Sequence, residues 1–163
     1  NTIILADKLA EQTMEKSRVT KYKKIQDLSL DDFNEITLTH PFSKLEGAES
    51  FWDYAVPLVE ADHVTDDAGT GFVHIAPSHG AEDFEVFLKR GWLSRMTNNV
   101  EDDSSFSTAV PFFKGLQIFN KKGKEGEANR AVIQKLIEAN KLIARGILEH
   151  SYPHSWRGSV RCV

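Results

Sequence analysis

The chain has 163 residues, with 40% hydrophobic and 27% charged residues and a formal net charge of −4, which suits one soluble globular domain with a sizeable core. It has no long basic block and no run near the ~20 apolar residues of a membrane span, so neither a large nucleic-acid-binding face nor a transmembrane segment is predicted. Cys162 is its single cysteine, which excludes an internal disulfide framework and a cysteine metal site.

The chain opens without a methionine, on residues that are typical of the inside of a strand. We therefore expect a piece of a longer protein. Thr2–Leu5 predicts a short strand, and a helix is expected from Ala6 to about Lys16. Val19–Ile25 is basic and β-prone, whereas Asp27–Phe33 predicts a polar turn or loop.

Three strands are predicted in the next part of the chain. Glu35–His40 alternates with Ile36 and Leu38 inward, and a proline follows it. Tyr54–Val64 is apolar, and its internal proline restricts it to a sheet edge or a bulge. Phe72–Ala76 is the third candidate, because it alternates and then ends at another proline.

Helical periodicity next predicts a helix over Ala81–Arg90, with Gly91 as its left-handed cap. Thr97–Thr108 is polar and acidic, which indicates a mobile surface loop. Gly115–Phe119 predicts a strand, and Lys121–Gly126 predicts a solvated turn.

The strongest helical pattern covers Glu127–Arg145 with Gly146 as its cap, and Ile147–His150 returns to a strand. We see no internal repeat and no linker long enough to divide the chain. Short strands interrupted by two or three helices predict a single mixed α and β domain over residues 1–163.

The segment Gly69–Phe84 concentrates ionisable groups beside turn-forming residues more tightly than any other part of the sequence. It holds His74, His79, Glu82 and Asp83 between a strand pattern and a helix pattern. Its glycines and proline restrict the backbone, while its histidines and carboxylates can bind or titrate. We expect this segment to line any pocket in the protein.

His74 and Asp83 are the leading functional candidates, although each has a structural alternative. A strand histidine is more often a satisfied core or rim residue than a catalytic one. Asp83 falls near the first turn of the predicted helix, capped by Ser78 or Gly80, where the helix dipole favours an ionised carboxylate. That carboxylate either stabilises the helix end or is held ready for a ligand ammonium or a polarised water. Glu82 is the weaker candidate, because it faces another direction.

Other chemistries find less support in the same segment. A metal triad of His74, His79 and Asp83 fits no zinc signature, because the proline and glycine between them forbid a single helix. Gly69-Thr70-Gly71 precedes a strand pattern and lacks the end of a phosphate-binding loop, so a bulge at the strand entry is preferred. A nucleophilic serine or cysteine is not indicated.

Two further clusters each have two interpretations. Thr39–Phe42 fits a pocket edge or a capped strand end equally well. The aromatic and basic run His150–Arg157 suits stacking on a nucleotide, but packing against a neighbouring domain is preferred.

From these residues, the chain resembles the editing domain that is inserted into isoleucyl-tRNA synthetase, a class I aminoacyl-tRNA synthetase. The resemblance covers most of the chain from Thr39 onward, in the order found in the family. It is carried by the segments Asp67–Gly71, Val73–Pro77, His79–Phe84, Thr39–Phe42, Phe113–Leu116, His150–Pro153 and Trp156-Arg157. The sister valyl and leucyl editing domains typically have lysine or an apolar residue at the position of His74, so the histidine favours the isoleucyl branch.

The resemblance implies a fold and an activity. The fold is a globular insertion with a β-barrel-like core and flanking helices, whose residues from about 150 to 163 lead back toward the synthetase body. The activity is proofreading hydrolysis of the ester in mischarged valyl-tRNA(Ile), and some members of the family also contribute to clearing valyl-adenylate.

The resemblance also implies roles for individual residues. Asp83 binds the α-ammonium of the substrate, and His74 helps to exclude the extra methylene of isoleucine and positions the ester. An oriented water, helped by the terminal ribose hydroxyl, is enough to attack an activated ester. The candidate catalytic residues are thus Asp83 and His74. The candidate substrate-binding residues are Asp83, His74, Gly69, Thr70, Gly71, Phe72 and Pro77.

A second pocket solves a problem of size. An apolar pocket separates isoleucine from valine by only about 1–3 kcal/mol, a limit for which isoleucyl-tRNA synthetase is itself the standard example. The expected partners are the 3′ end of tRNA(Ile) carrying valine and the rest of the synthetase chain, without a membrane, and the piece itself is expected to be monomeric. No metal or cofactor is expected in this domain, whereas ATP and Mg²⁺ belong to the catalytic domain of the parent enzyme. We expect a cytoplasmic location.

One departure limits the activity expected of this chain. The family has a threonine-rich peptide upstream, which forms the other pocket wall and helps to position water, and this sequence does not contain it. We therefore expect weak or no hydrolysis by the chain alone. The alternatives are a non-catalytic module that binds the tRNA end or joins domains, and an editing domain of the valyl or leucyl type.

Overall fold

The computed structural model describes residues 2–34, 36–48 and 50–147. These residues form two compact units, each assembled from separate stretches of the chain. The first unit contains 2–38, 56–96 and 143–145, and the second contains 39–55, 97–142, 146 and 147. Neither unit is continuous in sequence. The single domain over residues 1–163 stays a prediction.

The first unit begins with a 3₁₀ turn at Asp7–Leu9 and helix α1 at Ala10–Lys16. Helix α2 follows at Leu30–Phe33, helix α3 at Ala81–Lys89, and a second 3₁₀ turn at Leu93–Arg95. Leu9 and Met14 are the buried hydrophobic side chains among the described residues of this unit. Helix α1 confirms the helix predicted from Ala6 to about Lys16, and helix α3 confirms the helix predicted over Ala81–Arg90.

The second unit is organised around aromatic side chains and helix α4, Ala128–Glu138. Phe42 and Trp52 meet edge to face with ring centroids 5.5 Å apart, and Phe113 lies 5.7 Å from Phe42. The buried core of this unit consists of Phe42, Ala48, Trp52, Val110 and Phe113. Val132 and Leu136 of α4 pack against it, so the apolar stripe of this helix faces the core.

Three helices end in the same backbone motif, in which a residue with positive φ stops the helix. Gly91 takes φ +68° after α3, as predicted, and Trp92 N–H then bonds Phe87 O at 2.9 Å. Arg18 at φ 58° and Asn140 at φ 54° end α1 and α4 in the same way. These 6→1 bonds belong to the Schellman motif, which satisfies carbonyls left free by the last helical turn.

The end of α4 corrects the helix predicted over Glu127–Arg145. The helix stops at Glu138, and Lys141 N–H bonds Leu136 O at 2.9 Å across Asn140. Asparagine tolerates the left-handed region better than most residues, so it ends the helix before Gly146. The polar loop predicted over Asp27–Phe33 is also partly wrong, because α2 begins there.

Helix α2 forms because of local hydrogen bonds at its N-terminus, which the polar composition of the segment does not reveal. Ser29 N–H donates to Asp32 Oδ2 at 2.7 Å, and the Ser29 hydroxyl donates to the same oxygen at 2.8 Å. Accepting these bonds, the backbone one above all, lowers the pKa of Asp32. The pair is a capping box, which starts a helix in an otherwise polar segment.

The strands are much shorter than predicted. Strand β1 is Leu38–Thr39 and strand β2 is Ala55–Val56, and they pair to form a two-stranded sheet. Within the described residues, Thr2–Leu5, Phe72–Ala76 and Gly115–Phe119 are not strands. Gly115–Phe119 instead forms isolated antiparallel bridges from Gln117 to Ser105 and from Phe119 to Glu125.

These observations establish a mixed α and β chain. In the described ranges the sheet has two strands, and a barrel-like core is not seen there. The loop predicted over Thr97–Thr108 has no regular element, but Phe106 within it packs against the aromatic core. None of the helices in the described part of the chain is both long and apolar enough to span a membrane.

Candidate functional site

The site predicted around Asp83 is built on a tight turn that leads into α3. The N–H groups of His79 and Gly80 both donate to Ala76 O, at 2.9 and 3.0 Å. Gly80 is the N-cap residue with extended backbone angles, and Phe84 N–H closes the first helical turn on Gly80 O at 2.9 Å. Of the two predicted caps, Ser78 and Gly80, the structure has Gly80 at the N-cap, and Asp83 falls within the first turn as predicted.

The carboxylate of Asp83 folds back over the turn that precedes its helix. Its Oδ2 accepts a hydrogen bond from Ala76 N–H at 2.8 Å, and the side chain is 16% exposed. A Cβ atom on Gly80 would lie 3.0 Å from this Oδ2. A side chain at Gly80 would therefore require this carboxylate to shift by a few tenths of an ångström.

His63 is the second partner of Asp83, and the sequence reasoning did not select it. A turn closed by Val64 N–H on Ala61 O, at 3.1 Å, carries His63. Its Nε2 lies 3.1 Å from Asp83 Oδ1, and its side chain is 18% exposed. This Nε2 is buried, yet the approach does not have the angles of a good hydrogen bond and no other described atom supplies one. The contact between His63 and Asp83 is an ion pair only when the imidazole is protonated.

The other predicted site residues are more open to solvent. The side chain of His74 is exposed, and no hydrogen bond or ion pair within the described residues joins it to Asp83. Phe72 is 42% exposed, whereas Pro77 is half-buried. His79 and Glu82 are exposed, which agrees with their assignment as turn and surface residues. The roles of His74 and Asp83 toward a substrate stay predictions.

The glycines of Gly69-Thr70-Gly71 let this segment lie close to the start of the chain. Gly71 has φ +83°, and a Cβ atom placed on it would lie 2.5 Å from the Cβ of Ala6. Ala6 N–H donates to Thr70 O at 2.9 Å, and the Thr13 hydroxyl donates to Gly69 O at 3.0 Å. The segment thus serves as a packing and hydrogen-bonding surface for the 3₁₀ turn and α1. The bulge predicted at a strand entry is a turn without a strand.

A shallow depression of about 540 Å³ lies beside α3 and the turn that precedes it. Its lining residues are Pro77, Ser78, His79, Gly80, Ala81, Phe84, Glu85 and Leu88. Asp83 and His74 are not among them, because Asp83 points back toward Ala76 and His63. We do not assign this depression as the substrate pocket.

Two other predicted features can be located. The His40 imidazole stacks on Trp52 with centroids 4.3 Å apart, and its Nδ1 accepts a hydrogen bond from Phe42 N–H at 3.2 Å. This favours the capped strand end over the pocket edge for Thr39–Phe42.

The cluster His150–Arg157 lies outside the described residues. Within the described ranges, no group of three or more His, Cys, Asp or Glu side chains could hold a metal ion.

Comparison with known proteins gives a consistent result. The chain is 44% identical over 162 residues to an isoleucine–tRNA ligase of Bradyrhizobium diazoefficiens, an alignment that covers 95% of the chain. By sequence, the chain is homologous to one part of the isoleucine–tRNA ligases. Isoleucine–tRNA ligases of Ruegeria pomeroyi and Caulobacter vibrioides are 47% and 45% identical, over 96% and 97% of the chain.

The family assignment concerns one part of a long sequence. The chain spans only 16% of the length of each of these curated relatives. A scan against protein-family models found no match. The resemblance identified from the segments around His74 and Asp83 is thus confirmed at the level of the family.

Proposed function

We propose that this chain is the editing part of an isoleucine–tRNA ligase and that it hydrolyses the ester of valyl-tRNA(Ile). The observation that carries the proposal is the Asp83 carboxylate, held in the first turn of α3 and 16% exposed. The family assignment supports it, because the relatives are ligases that must separate isoleucine from valine. A hydrophobic pocket alone discriminates one methylene poorly, so such enzymes gain from a second, hydrolytic selection.

The geometry of Asp83 suits an ammonium-binding group. An ionised carboxylate has about four acceptor positions; Ala76 N–H occupies one on Oδ2, and His63 Nε2 lies 3.1 Å from Oδ1 without a well-aligned hydrogen bond. Acceptor capacity therefore remains on both oxygens for the α-ammonium of an aminoacyl group. The positive end of the α3 dipole favours the charged carboxylate, which an ammonium ligand requires.

His74 is proposed to limit the size of the amino-acid side chain and to position the ester. Its exposed side chain is accessible to a ligand that also reaches the turn before α3. Neither residue acts as a nucleophile in this proposal. A water oriented near the ester carbon, helped by the terminal ribose hydroxyl of the tRNA, attacks it and releases valine and free tRNA.

The remaining parts of the proposal concern the whole enzyme. The partners are the tRNA 3′ end carrying valine and the rest of the synthetase, in the cytoplasm. ATP and Mg²⁺ serve aminoacylation in its catalytic domain, and we propose no metal or cofactor for this part. We also propose that the complete editing part has the β-barrel-like core and the threonine-rich peptide of the family that this chain resembles. Hydrolysis by this chain alone is accordingly proposed to be weak or absent.

The decisive experiment measures deacylation of valyl-tRNA(Ile) by the full-length synthetase with Asp83→Asn. The matched control is Glu82→Gln, which removes the neighbouring, exposed carboxylate from the same helical turn. We expect Asp83→Asn to slow deacylation strongly and Glu82→Gln to leave it unchanged. Full deacylation by the Asp83→Asn enzyme would refute the proposed role.

A second function is favoured by a specific observation, namely that Asp83 is already engaged by Ala76 and His63. A carboxylate used only to hold a turn together fits a non-catalytic module that binds the tRNA end or joins domains. In that case Asp83→Asn would lower the unfolding temperature of the segment without changing deacylation. A valyl or leucyl type of editing domain would instead prefer threonyl or norvalyl esters.

A further inference from the structure

We infer that His63 is a positioning residue, which orients the Asp83 carboxylate for the ammonium group of the aminoacyl substrate. The inference rests on the proposed function and extends it to a residue outside the segment Gly69–Phe84. His63 comes from a different turn of the first unit, and its imidazole approaches the oxygen of Asp83 that the Ala76 amide leaves unused.

The two oxygens of the Asp83 carboxylate contact two different groups, one fixed and one adjustable. The Ala76 N–H is held by the backbone, at 2.8 Å from Oδ2. The His63 imidazole ends a side chain and lies 3.1 Å from Oδ1. Together they restrict rotation of the carboxylate plane, which neither contact achieves alone. A ligand that needs two or three aligned acceptor positions benefits directly from this restriction.

The state of His63 Nε2 in the free protein supports a functional contact. The atom is buried and has no well-aligned hydrogen bond to a described residue, although a carboxylate oxygen is within reach. Buried polar groups are almost always satisfied, so an exception calls for an explanation. A small rotation of Asp83 on binding an ammonium would align Oδ1 with Nε2–H. Substrate binding would then complete a hydrogen bond that the free protein leaves imperfect.

The burial of both groups sets the strength of the contact. Side chains that are 18% and 16% exposed interact in a medium of lower dielectric than water, so their contact is less screened than a surface pair. By contrast, Lys8 and Asp66 of the same unit are 74% and 56% exposed. The His63–Asp83 contact is therefore the ionisable pair in the described first unit that is best placed to control a side-chain orientation.

The test uses the full-length synthetase and measures kcat and KM for deacylation of valyl-tRNA(Ile). His63→Gln places an amide N–H about where Nε2 lies, whereas His63→Asn reaches only the position of Nδ1 and cannot contact Asp83. We expect His63→Asn to raise KM roughly ten- to hundredfold, by analogy with the range found for residues that orient metal ligands. His63→Gln should stay close to the wild type. Rescue by Gln and not by Asn identifies the Nε2 contact.

A double variant distinguishes positioning from simple stabilisation. If His63 acts through Asp83, then His63→Asn added to Asp83→Asn has no further effect on KM. Equal losses in His63→Gln and His63→Asn, adding to that of Asp83→Asn, would assign His63 to stability and overturn the inference. Unchanged KM in His63→Asn, with deacylation lost in Asp83→Asn, would also overturn it while leaving the proposed function standing. Unchanged deacylation in Asp83→Asn would instead refute the proposed function.

Discussion

The two units of this protein differ in how many hydrophobic side chains their described residues bury. The second unit buries Phe42, Trp52, Val110 and Phe113 in one cluster, with Val110 only 1% exposed. Among the described residues of the first unit, buried hydrophobic side chains are limited to Leu9 and Met14. The described part of the first unit has backbone hydrogen bonds, a close glycine contact and ion pairs, as the second unit does, but no comparable buried cluster.

The comparison matters because the candidate site lies wholly in the first unit. Several apolar side chains near the site are exposed, including Val73 at 55% and Leu88 at 53%. Regions with few buried apolar contacts open locally at lower free energy than well-packed cores. The residues proposed to bind substrate are thus carried by the less densely packed part of the described chain.

The largest effect is expected from the core of the second unit. Phe113→Ala should reduce the free energy of unfolding by about 3–5 kcal/mol, because it removes a buried ring and leaves a cavity. Phe113 is 2% exposed, whereas Phe84 of the first unit is 39% exposed. The control Phe84→Ala, the same chemical change, should therefore cost much less in chemical denaturation. Equal losses would contradict the comparison.

A smaller but still large effect is expected where the first unit depends on glycine. Gly71→Ala should destabilise by about 2–4 kcal/mol, because it combines a left-handed backbone with overpacking against Ala6. The control Gly69→Ala shares the positive φ, at +72°, but its Cβ would meet nothing within 4 Å. Hydrogen exchange of the first unit should rise more in Gly71→Ala. A similar rise in both variants would show that the close approach to Ala6 has no consequence.

Removing one hydrogen bond of the first unit should have a modest effect. Thr13→Val deletes the hydroxyl that donates to Gly69 O at 3.0 Å. The expected loss is about 0.5–1 kcal/mol, since the bond is open to solvent and water can replace the donor. Thermal unfolding of Thr13→Val and Thr13→Ser would measure it, with Ser keeping the hydroxyl. A stability of Thr13→Val equal to that of Thr13→Ser would argue against a role for the bond.

The smallest effect is expected from pH. The Lys8 ammonium lies 2.5 Å from Asp66, and this contact lowers the pKa of Asp66 from its ordinary value of 3.8. A carboxyl whose pKa is lower in the folded state than in the unfolded state stabilises the protein at pH values above the unfolded-state pKa. That contribution is lost as the pH falls through the folded-state pKa. The pair links distant parts of the first unit.

Carboxyls with lowered pKa values in the second unit are held by near neighbours in sequence, as Asp103 is by Ser105. Acid should therefore loosen contacts between distant segments mainly in the first unit. The difference in unfolding temperature between the wild type and Lys8→Gln should be present at neutral pH, shrink as pH falls below about 3.8, and vanish once pH is below the lowered pKa of Asp66. A difference that persists in acid would assign the effect of Lys8 to something other than Asp66.

The sequence predicts the helices better than the strands, for a physical reason. Helix ends are set by local chemistry, so Gly80 and Gly91 could be read directly as the ends of α3. Asn140 and the Ser29–Asp32 capping box belong to the same chemistry but were outweighed by hydrophobic periodicity and by polar composition. Strand formation depends on partners elsewhere in the chain, and alternation in Phe72–Ala76 carries no information about whether such a partner is present.

The candidate site shows the same division. Asp83 could be selected because its position in the helix and its motif are both local features of the sequence. His63 could not, because its relation to Asp83 arises from folding two separate turns against each other. The sequence offers one signal, namely that His63 precedes the Gly69-Thr70-Gly71 turn within the same loop. This spacing alone does not give the distance between the side chains of His63 and Asp83.

The interleaving of the two units has a consequence for the order in which the protein forms during synthesis. Residues 2–38 emerge from the ribosome before their partners Val56–Met96, which appear only after Thr39–Ala55 has been made. The second unit likewise waits for Thr97–Leu142. Domains generally fold as they emerge, but here each early segment must wait, with its apolar side chains uncovered, for a later one. The nascent chain therefore offers chaperones an interval of exposure that a protein with two consecutive units would not have.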